Sequence, residues 1–356
     1  LESLLLFCKQ RSIKSPNMAT NNYLNLNNLK DRERAIWRIK NYFEEQLQDE
    51  LNLIRVSAPL ILPAGKGIND DLNGIERKAT FPVKQMNDQV HELPQSCAKW
   101  KRMALAKYEM EADEGLVLYM NAIRPDEDID TIHSVYVDQW DWERVIRAED
   151  RNVEKLQEIV TKIYAAIKRT EREVEKFTGF APILPDNITF VHTTELEQKY
   201  PNLSPKEREA EACKEHGAVF VIGIGNPMSN GEPHDGRAPD YDDWYTPTPL
   251  GPGLNGDILV WNPILQREFE LSSMGIRVDK ESMMSQLQIR GCTERSELEF
   301  HQGILNDQWP LSVGGGIGQA RLTMFLLRRS HVGETVRSVW PQQILEEEAA
   351  RNVTLL

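Results

Sequence analysis

Two arginines in separate segments carry the densest chemistry in the chain. The first, Arg321, lies in "SVGGGIGQARLTMFLL" (312–327), where four glycines in five positions run into an apolar helical pattern. Glycines let a backbone approach a ligand closely. A helix N-terminus presents unpaired N–H groups and a partial positive charge. With a helix starting near Ile317, Arg321 sits about one turn in and can point its guanidinium back at an anion. The segment then holds nucleotide phosphate; on the other reading its glycines only permit tight strand–helix packing and Arg321 covers surface. Standard phosphate motifs do not describe it. Gln319 occupies the sixth position of a G-x-G-x-x-G pattern, "GIGNPM" (223–228) runs into Pro227, and Lys66 in "PLILPAGKG" has no following Ser or Thr.

The second arginine, Arg124, opens "RPDEDIDTIHSVYVDQWDWE" (124–143). Pro125 disfavours helix, the acidic run makes a loop, and a strand returns through Val135 and Val137. Alternation places Val137, Gln139, Asp141 and Glu143 on one face. A polar floor of this kind suits a ligand site and equally suits a solvated edge strand, and Arg124 also suits a structural ion pair.

Several elements must position these residues. Ile36, Ile39, Phe43, Leu47 and Leu51 form one stripe of a helix over 31–51, and a second long helix spans 151–177. "LIRVSAPLILP" reads as a strand with Pro59 at an edge or interface. "AVFVIGIG" (218–225), "DILVW" (257–261) and "FELSSMGIRV" (269–278) are also strand-like. The pattern predicts an α+β fold, a mostly antiparallel sheet flanked by helices. One domain over 29–356 is expected, preceded by a disordered leader, 1–28, with Met18 as the natural start. At 356 residues, 40% hydrophobic and 27% charged, the composition is that of a globular protein. A net charge of −13 argues against a nucleic-acid-coating surface. No segment reaches the ~20 apolar residues of a membrane helix. The four cysteines are scattered, without CxxC, and read as reduced thiols of a cytoplasmic protein.

Arg124–Glu127 followed by Gln139-x-Asp141-x-Glu143 resembles the second signature motif of class II aminoacyl-tRNA synthetases of the aspartyl and asparaginyl branch. "GGGIGQARLTM" resembles their third motif, and the long helix ending in "RVSAPLIL" the first, which builds a homodimer interface. Together with "NDDLNG", "AKWKR", "APDYDDW", "LNGDILVWNP" and "FELSSMGIRV", these stretches are similar to ammonia-dependent asparagine synthetases (aspartate–ammonia ligases), relatives of that synthetase core. The likeness runs from about Asp31 to about Pro341 and does not include an anticodon-binding barrel.

The resemblance implies a class II synthetase-like fold and an ATP-dependent amidation of L-aspartate. The β-carboxylate becomes an aspartyl-adenylate with release of pyrophosphate, and ammonia then expels AMP. Arg124 is implied at the α-phosphate, Arg321 on the far side of the nucleotide, Glu127 at the adenine edge, and Gly314, Gly315 and Gly316 beside ATP. Gln139 would hydrogen-bond the carboxyl under attack. Asp70 would serve the α-amino end or the ammonia site, and is a candidate to accept the proton of ammonium. Lys101 and Arg277 would pair with substrate carboxylates, with Asp141, Asp242 and Ser273 completing the pocket. Asp240 and Asp243 compete with Asp242 for that place, and Lys99 with Lys101; "KWKR" also suits a solvated basic face. Asp257 and Glu270 are hard oxygen ligands suited to Mg²⁺ shared with phosphates. Neither Cys97 nor Cys213 has an activating base nearby in sequence, so free ammonium rather than glutamine is the expected nitrogen source. Two alternatives share the fold: a core that charges tRNA with aspartate or asparagine, and a non-catalytic regulator. Burying so many retained charges without a ligand would be costly, which counts against the regulator.

Overall fold

The apolar stripe of 31–51 becomes helix α1, Leu29–Leu51, started by the Asn28 side chain accepting from the Lys30 and Asp31 N–H groups and ended by Asn52 in a left-handed conformation. The computed structural model describes residues 23–70, 72 and 76–356. Most of the expected leader, 1–22, lies outside the described residues. Its last part does not behave as a leader, because Leu26 is buried in the main core and the Leu24 N–H donates to the Phe177 carbonyl at 2.9 Å.

The second long helix, α3 (Val153–Thr178), follows the shorter α2 (Ala98–Lys107). α4 (Pro205–His216) and α5 (Gln319–Leu326) come later in the chain. Between them run β1 (Leu53–Arg55), β2 (Gly115–Ile123), β3 (Tyr136–Val145), β4 (Thr189–His192) and β5 (Ala218–Ile222). β6 (Asn255–Asn262), β7 (Arg267–Ile276) and β8 (Ser312–Gly318) complete an eight-stranded sheet in the order β1-β2-β3-β8-β7-β6-β5-β4. Its interior pairings are antiparallel, and only the edge pairs β1–β2 and β4–β5 are parallel.

Strand alternation sorts β3 as expected. Trp140 and Trp142 enter the apolar core beneath α1 and α3, with the Trp140 ring 4.5 Å from that of Phe43. Gln139, Asp141 and Glu143 turn to the opposite face. Burying each indole contributes roughly 2–3 kcal/mol, so the same pairing that builds the core fixes where the polar residues point.

Two expected elements come out differently. "LIRVSAPLILP" is not one strand: Leu53–Arg55 pairs with Gly115–Val117, while Leu62 and Pro63 join a separate three-stranded sheet through Glu92 and His91. Pro59 lies between the two pieces, where it lacks an N–H for either ladder. The glycine run is likewise strand rather than helix entry. Gly314–Gly316 pair with Glu143, Trp142 and Asp141 on one side and Gly275, Met274 and Ser273 on the other. Glycine is a poor helix former, and the helix waits until Gln319; a further helix, Gln342–Ala350, follows it.

Candidate active site

On the polar face of the sheet opens a cavity of about 750 Å³. Arg124 and Arg321 both line it, from the loop after β2 and from the first turn of α5. Arg124 donates from Nε to the Gln95 carbonyl at 3.3 Å and faces Glu127 at 3.5 Å. Arg321 donates to the carbonyls of Ile132 at 3.3 Å and Glu270 at 3.4 Å, with the Glu270 carboxylate also at 3.4 Å. All these contacts are long. Both arginine side chains stay about one-fifth exposed, 22% and 20%.

The opposite end is a buried lattice of alternating charges. Lys101 of α2 reaches Asp141 at 2.5 Å, the Gly315 carbonyl at 3.0 Å and Glu143 at 3.8 Å. Arg277, just past β7, holds Glu143 through Nε and Nη2 (2.8 Å) and Asp242 through Nη1. Burial pushes the Arg277 guanidinium down, but Glu143 and Asp242 outweigh it and hold it above its ordinary value. Burial opposes the Glu143 charge, yet Arg277 keeps its carboxyl below the usual range. Lys101 and Arg277 are therefore not the free cations expected for substrate carboxylates, because each already has internal carboxylate partners. Asp141 keeps one buried oxygen, Oδ2, with no hydrogen-bond partner among the described residues. Gln139 and Ser273 also line the cavity; the Ser273 hydroxyl donates to Glu270 at 2.9 Å. Asp70, 1% exposed, contributes from the loop after the Leu62–Pro63 strand, its Oδ1 accepting from the Leu72 N–H.

The residues left open by the sequence point in different directions. Lys101 faces the cavity, whereas Lys99 turns away to pair with Asp240 at 2.7 Å, next to buried His301. "KWKR" is not a solvated face: Lys99, Lys101 and Arg102 are all buried. Asp242 lines the cavity, while Asp243 receives Arg151 at 2.6 Å and the Tyr245 and Thr246 N–H groups.

The glycines do something other than open backbone N–H groups to a phosphate. A Cβ on Gly314 would strike the Glu143 carboxylate, and one on Gly316 would strike the Gln139 amide oxygen. Their missing side chains make room for the residues of β3. Gly315 and Gly316 border the cavity, whereas Gly314 lies beneath the Glu143–Arg277 pair.

The two carboxylates expected to hold metal are neighbours on β6 and β7. Glu270 reaches the cavity, but Asp257 lies behind it, with Arg237 Nη2 at 2.5 Å from its Oδ1. Burial, joined by the charge of Glu270 and opposed by Arg237, pushes Asp257 up to about 6. Burial also opposes the Glu270 charge, but Arg321 and Lys206 hold its carboxyl down at about 2. Among the described residues no three His, Cys, Asp or Glu side chains converge on one point. Two carboxylates with unequal proton affinity do not make a cage for an ion, but they fit one that takes its remaining ligands from phosphates and water.

Sequence reasoning missed Arg237 and Tyr241. Arg237 bridges Asp257 and, at 3.6 Å, Asp242, and Arg237 and Tyr241 both line the cavity. Arg237 stands one residue before "APDYDDW", so an arginine at the edge of an acidic run was the available signal.

The fold is that of the class II aminoacyl-tRNA synthetases. The asparaginyl-tRNA synthetase of Entamoeba histolytica superposes with a TM-score of 0.61 over 86% of this chain and 67% of that one, at 14% identity. That of Pyrococcus horikoshii, solved with asparaginyl-adenylate, gives 0.61 over 89% and 73%, also at 14%. Sequence comparison narrows the class. The profile of the aspartate-ammonia ligase family matches residues 30–352. An aspartate–ammonia ligase of Bacteroides fragilis is 54% identical over 94% of this chain and 98% of its own length, and one of Clostridium tetani 51% identical over 92% and 94%. The chain belongs to the aspartate–ammonia ligase family.

Proposed function

We infer that this cavity converts L-aspartate, ATP and ammonia to L-asparagine, AMP and pyrophosphate through a β-aspartyl-adenylate. The observation that carries this reading is the convergence of Arg124 and Arg321, from distant segments, on one cavity that also holds an acid-rich amino-acid pocket. Adenylation brings a carboxylate against a phosphate, and Arg124 offsets the charge that builds on the α-phosphate as the new bond forms; such a donor is worth ~3–4 kcal/mol. Arg321 holds the nucleotide from the other side, Glu127 reads the adenine edge, and the Gly315–Gly316 backbone flanks it. Asp141, with its spare buried oxygen, and Asp242 receive the α-ammonium. Lys101 and Arg277 orient these carboxylates and supply remaining N–H groups to the substrate carboxylate, with Ser273 beside them. Gln139 donates to the carboxyl under attack, and Asp70 takes the proton from ammonium. Glu270, backed by Asp257, would hold Mg²⁺, which when bound balances the charge of the phosphates.

Ammonium is the nitrogen source. Cys97 and Cys213 are buried and burial pushes both thiols up, as it does the half-buried Cys292, so none is a ready nucleophile for glutamine. Cys8 lies outside the described residues. Residues 29–356 act as one catalytic domain in the cytoplasm; among the described residues no helix is long and apolar enough to cross a membrane. Exposed Ile54, Leu60 and Ile61, beside the edge strand β1, support a homodimer through this face.

The test is incubation of the protein with aspartate, ATP, Mg²⁺ and ammonium, without tRNA. Asparagine, AMP and pyrophosphate in equal amounts are expected. ADP as product, or a requirement for glutamine or tRNA, would overturn the reading.

A further inference from the structure

Among the described residues Arg321 is held only by long contacts, so what fixes its guanidinium is the backbone of the first turn of α5. That turn has an unusual support. Its N-cap is Gly318, which has no side chain with which to accept the helix's first N–H groups. The acceptor comes from the neighbouring strand instead: Asp138 Oδ1 takes the Ala320 N–H at 3.1 Å, one residue before Arg321. The other oxygen of Asp138, Oδ2, takes Lys40 Nζ at 2.6 Å. Asp138 is 6% exposed, and Lys40 comes from the middle of α1, a helix whose apolar stripe packs in the main core.

We propose that Asp138, braced by Lys40, is a positioning residue that sets Arg321 against the nucleotide. This rests on the reading that Arg321 binds ATP. Asp138 points away from Gln139 and Asp141, its neighbours on β3, as strand alternation requires. It thus reaches the α5 side of the sheet while they form the amino-acid floor. An acid at this place also suits the positive end of the helix. The brace matters because a carboxylate with one oxygen on an N–H group would otherwise be free to turn about its own bond. Lys40 fixes the second oxygen and so the plane of the first.

The experiment compares Asp138→Ala, Asp138→Asn and Lys40→Met with the unaltered protein in steady-state assays and in equilibrium titration with ATP. Asp138→Ala should raise the KM and the Kd for ATP by tenfold or more. Lys40→Met and Asp138→Asn, which lose only the brace, should raise them by about threefold. The KM values for aspartate and ammonium should stay within twofold. A merely structural role would lower the active fraction, and with it kcat, without separating ATP from the other substrates. If Asp138→Ala does not fold, the other two variants carry the test. ATP constants unchanged within twofold in both overturn the proposal while leaving the ligase reading standing. An unaltered protein that neither binds nor consumes ATP removes both.

Discussion

Alanine in place of Gly314 should destabilise this protein although a strand interior normally tolerates alanine better than glycine. In a strand interior, Gly→Ala ordinarily contributes roughly 0.5–1 kcal/mol of stability. At 314 the new methyl would occupy the place of the Glu143 carboxylate and come within 2.5 Å of Arg277 Nη2. Glu143 has nowhere to go. It is fully buried, bonded to Arg277 and, at 2.7 Å, to the Ser312 hydroxyl. Displacing it leaves Arg277 with Asp242 alone, and breaking a buried pair costs about 3–5 kcal/mol. The net expectation is about 2–4 kcal/mol of lost stability, read as an earlier urea midpoint followed by tryptophan fluorescence.

Gly316→Ala makes the matched control. Its methyl would meet the Gln139 amide oxygen, the far end of a flexible side chain with no other hydrogen bond among the described residues. That side chain can swing aside, so stability should change by less than about 1 kcal/mol. Asparagine formation should nevertheless fall about a hundredfold, the effect of losing one donor aimed at the reacting carboxyl. If Gly314→Ala is as stable as the parent, or Gly316→Ala keeps its rate, the idea that these glycines exist to seat β3 side chains is wrong.

Arg124→Ala should cut AMP formation by about two to three decades while far-UV circular dichroism and the unfolding midpoint stay as in the parent. The contribution of Glu143 to stability should be complete near neutral pH and be lost below about pH 4. Glu143 is held below its unfolded value of about 4.3, so its contribution is complete above that value and is lost as pH falls through the lower folded one; Glu143→Gln should flatten this acid limb in urea midpoints measured from pH 3 to 7. Glu270→Gln should raise the half-saturating Mg²⁺ concentration by about tenfold or more, and Asp257→Asn, acting from behind it, by a smaller factor within the same range; titration of turnover with Mg²⁺ at fixed ATP measures both, and no change in either would remove them as ligands.

What the sequence disclosed followed the strength of local periodicity. The two-residue period of β3 assigned Gln139, Asp141 and Glu143 to one face because a slip of one residue would have put two tryptophans in the cavity. Lys99 and Lys101 resisted such treatment. α2 is covered on both sides, so both lysines are buried and only tertiary partners, Asp240 for one and Asp141 for the other, tell them apart. The glycine run was misplaced for a different reason. An absent side chain leaves room without saying for whom, and here the occupants come from a strand more than 150 positions earlier in sequence, paired at Glu143–Gly314 and Asp141–Gly316. Pro59 marked a break rather than an edge, since a residue without an N–H serves either purpose. Asp257 was chosen for its oxygen chemistry, and nothing local could reveal that Arg237 already holds it.

The cations of the cavity fall into two kinds, and the difference explains how one site can bind two unlike substrates. Lys101 and Arg277 are almost wholly buried and tied at short range to carboxylates, so extracting either from its partner would be costly. They cannot be released for each turnover. On the proposed assignment aspartate does not ask for that: it arrives carrying both signs of charge and can join a lattice of alternating charge, where Asp141 would take its ammonium. ATP brings only negative charge, and a fixed lattice has no surplus to meet it. On the proposed assignment Arg124 and Arg321 supply that surplus, because their contacts are long, 3.3–3.5 Å, and their carboxylate partners Glu127 and Glu270 are partly exposed, ion pairs of that sort being worth about 1 kcal/mol or less. Exchanging them for phosphate therefore costs little. If the proposed assignment holds, rigidity where the amino acid is recognised and loose pairing where the nucleotide enters both follow from where each arginine lies relative to the sheet.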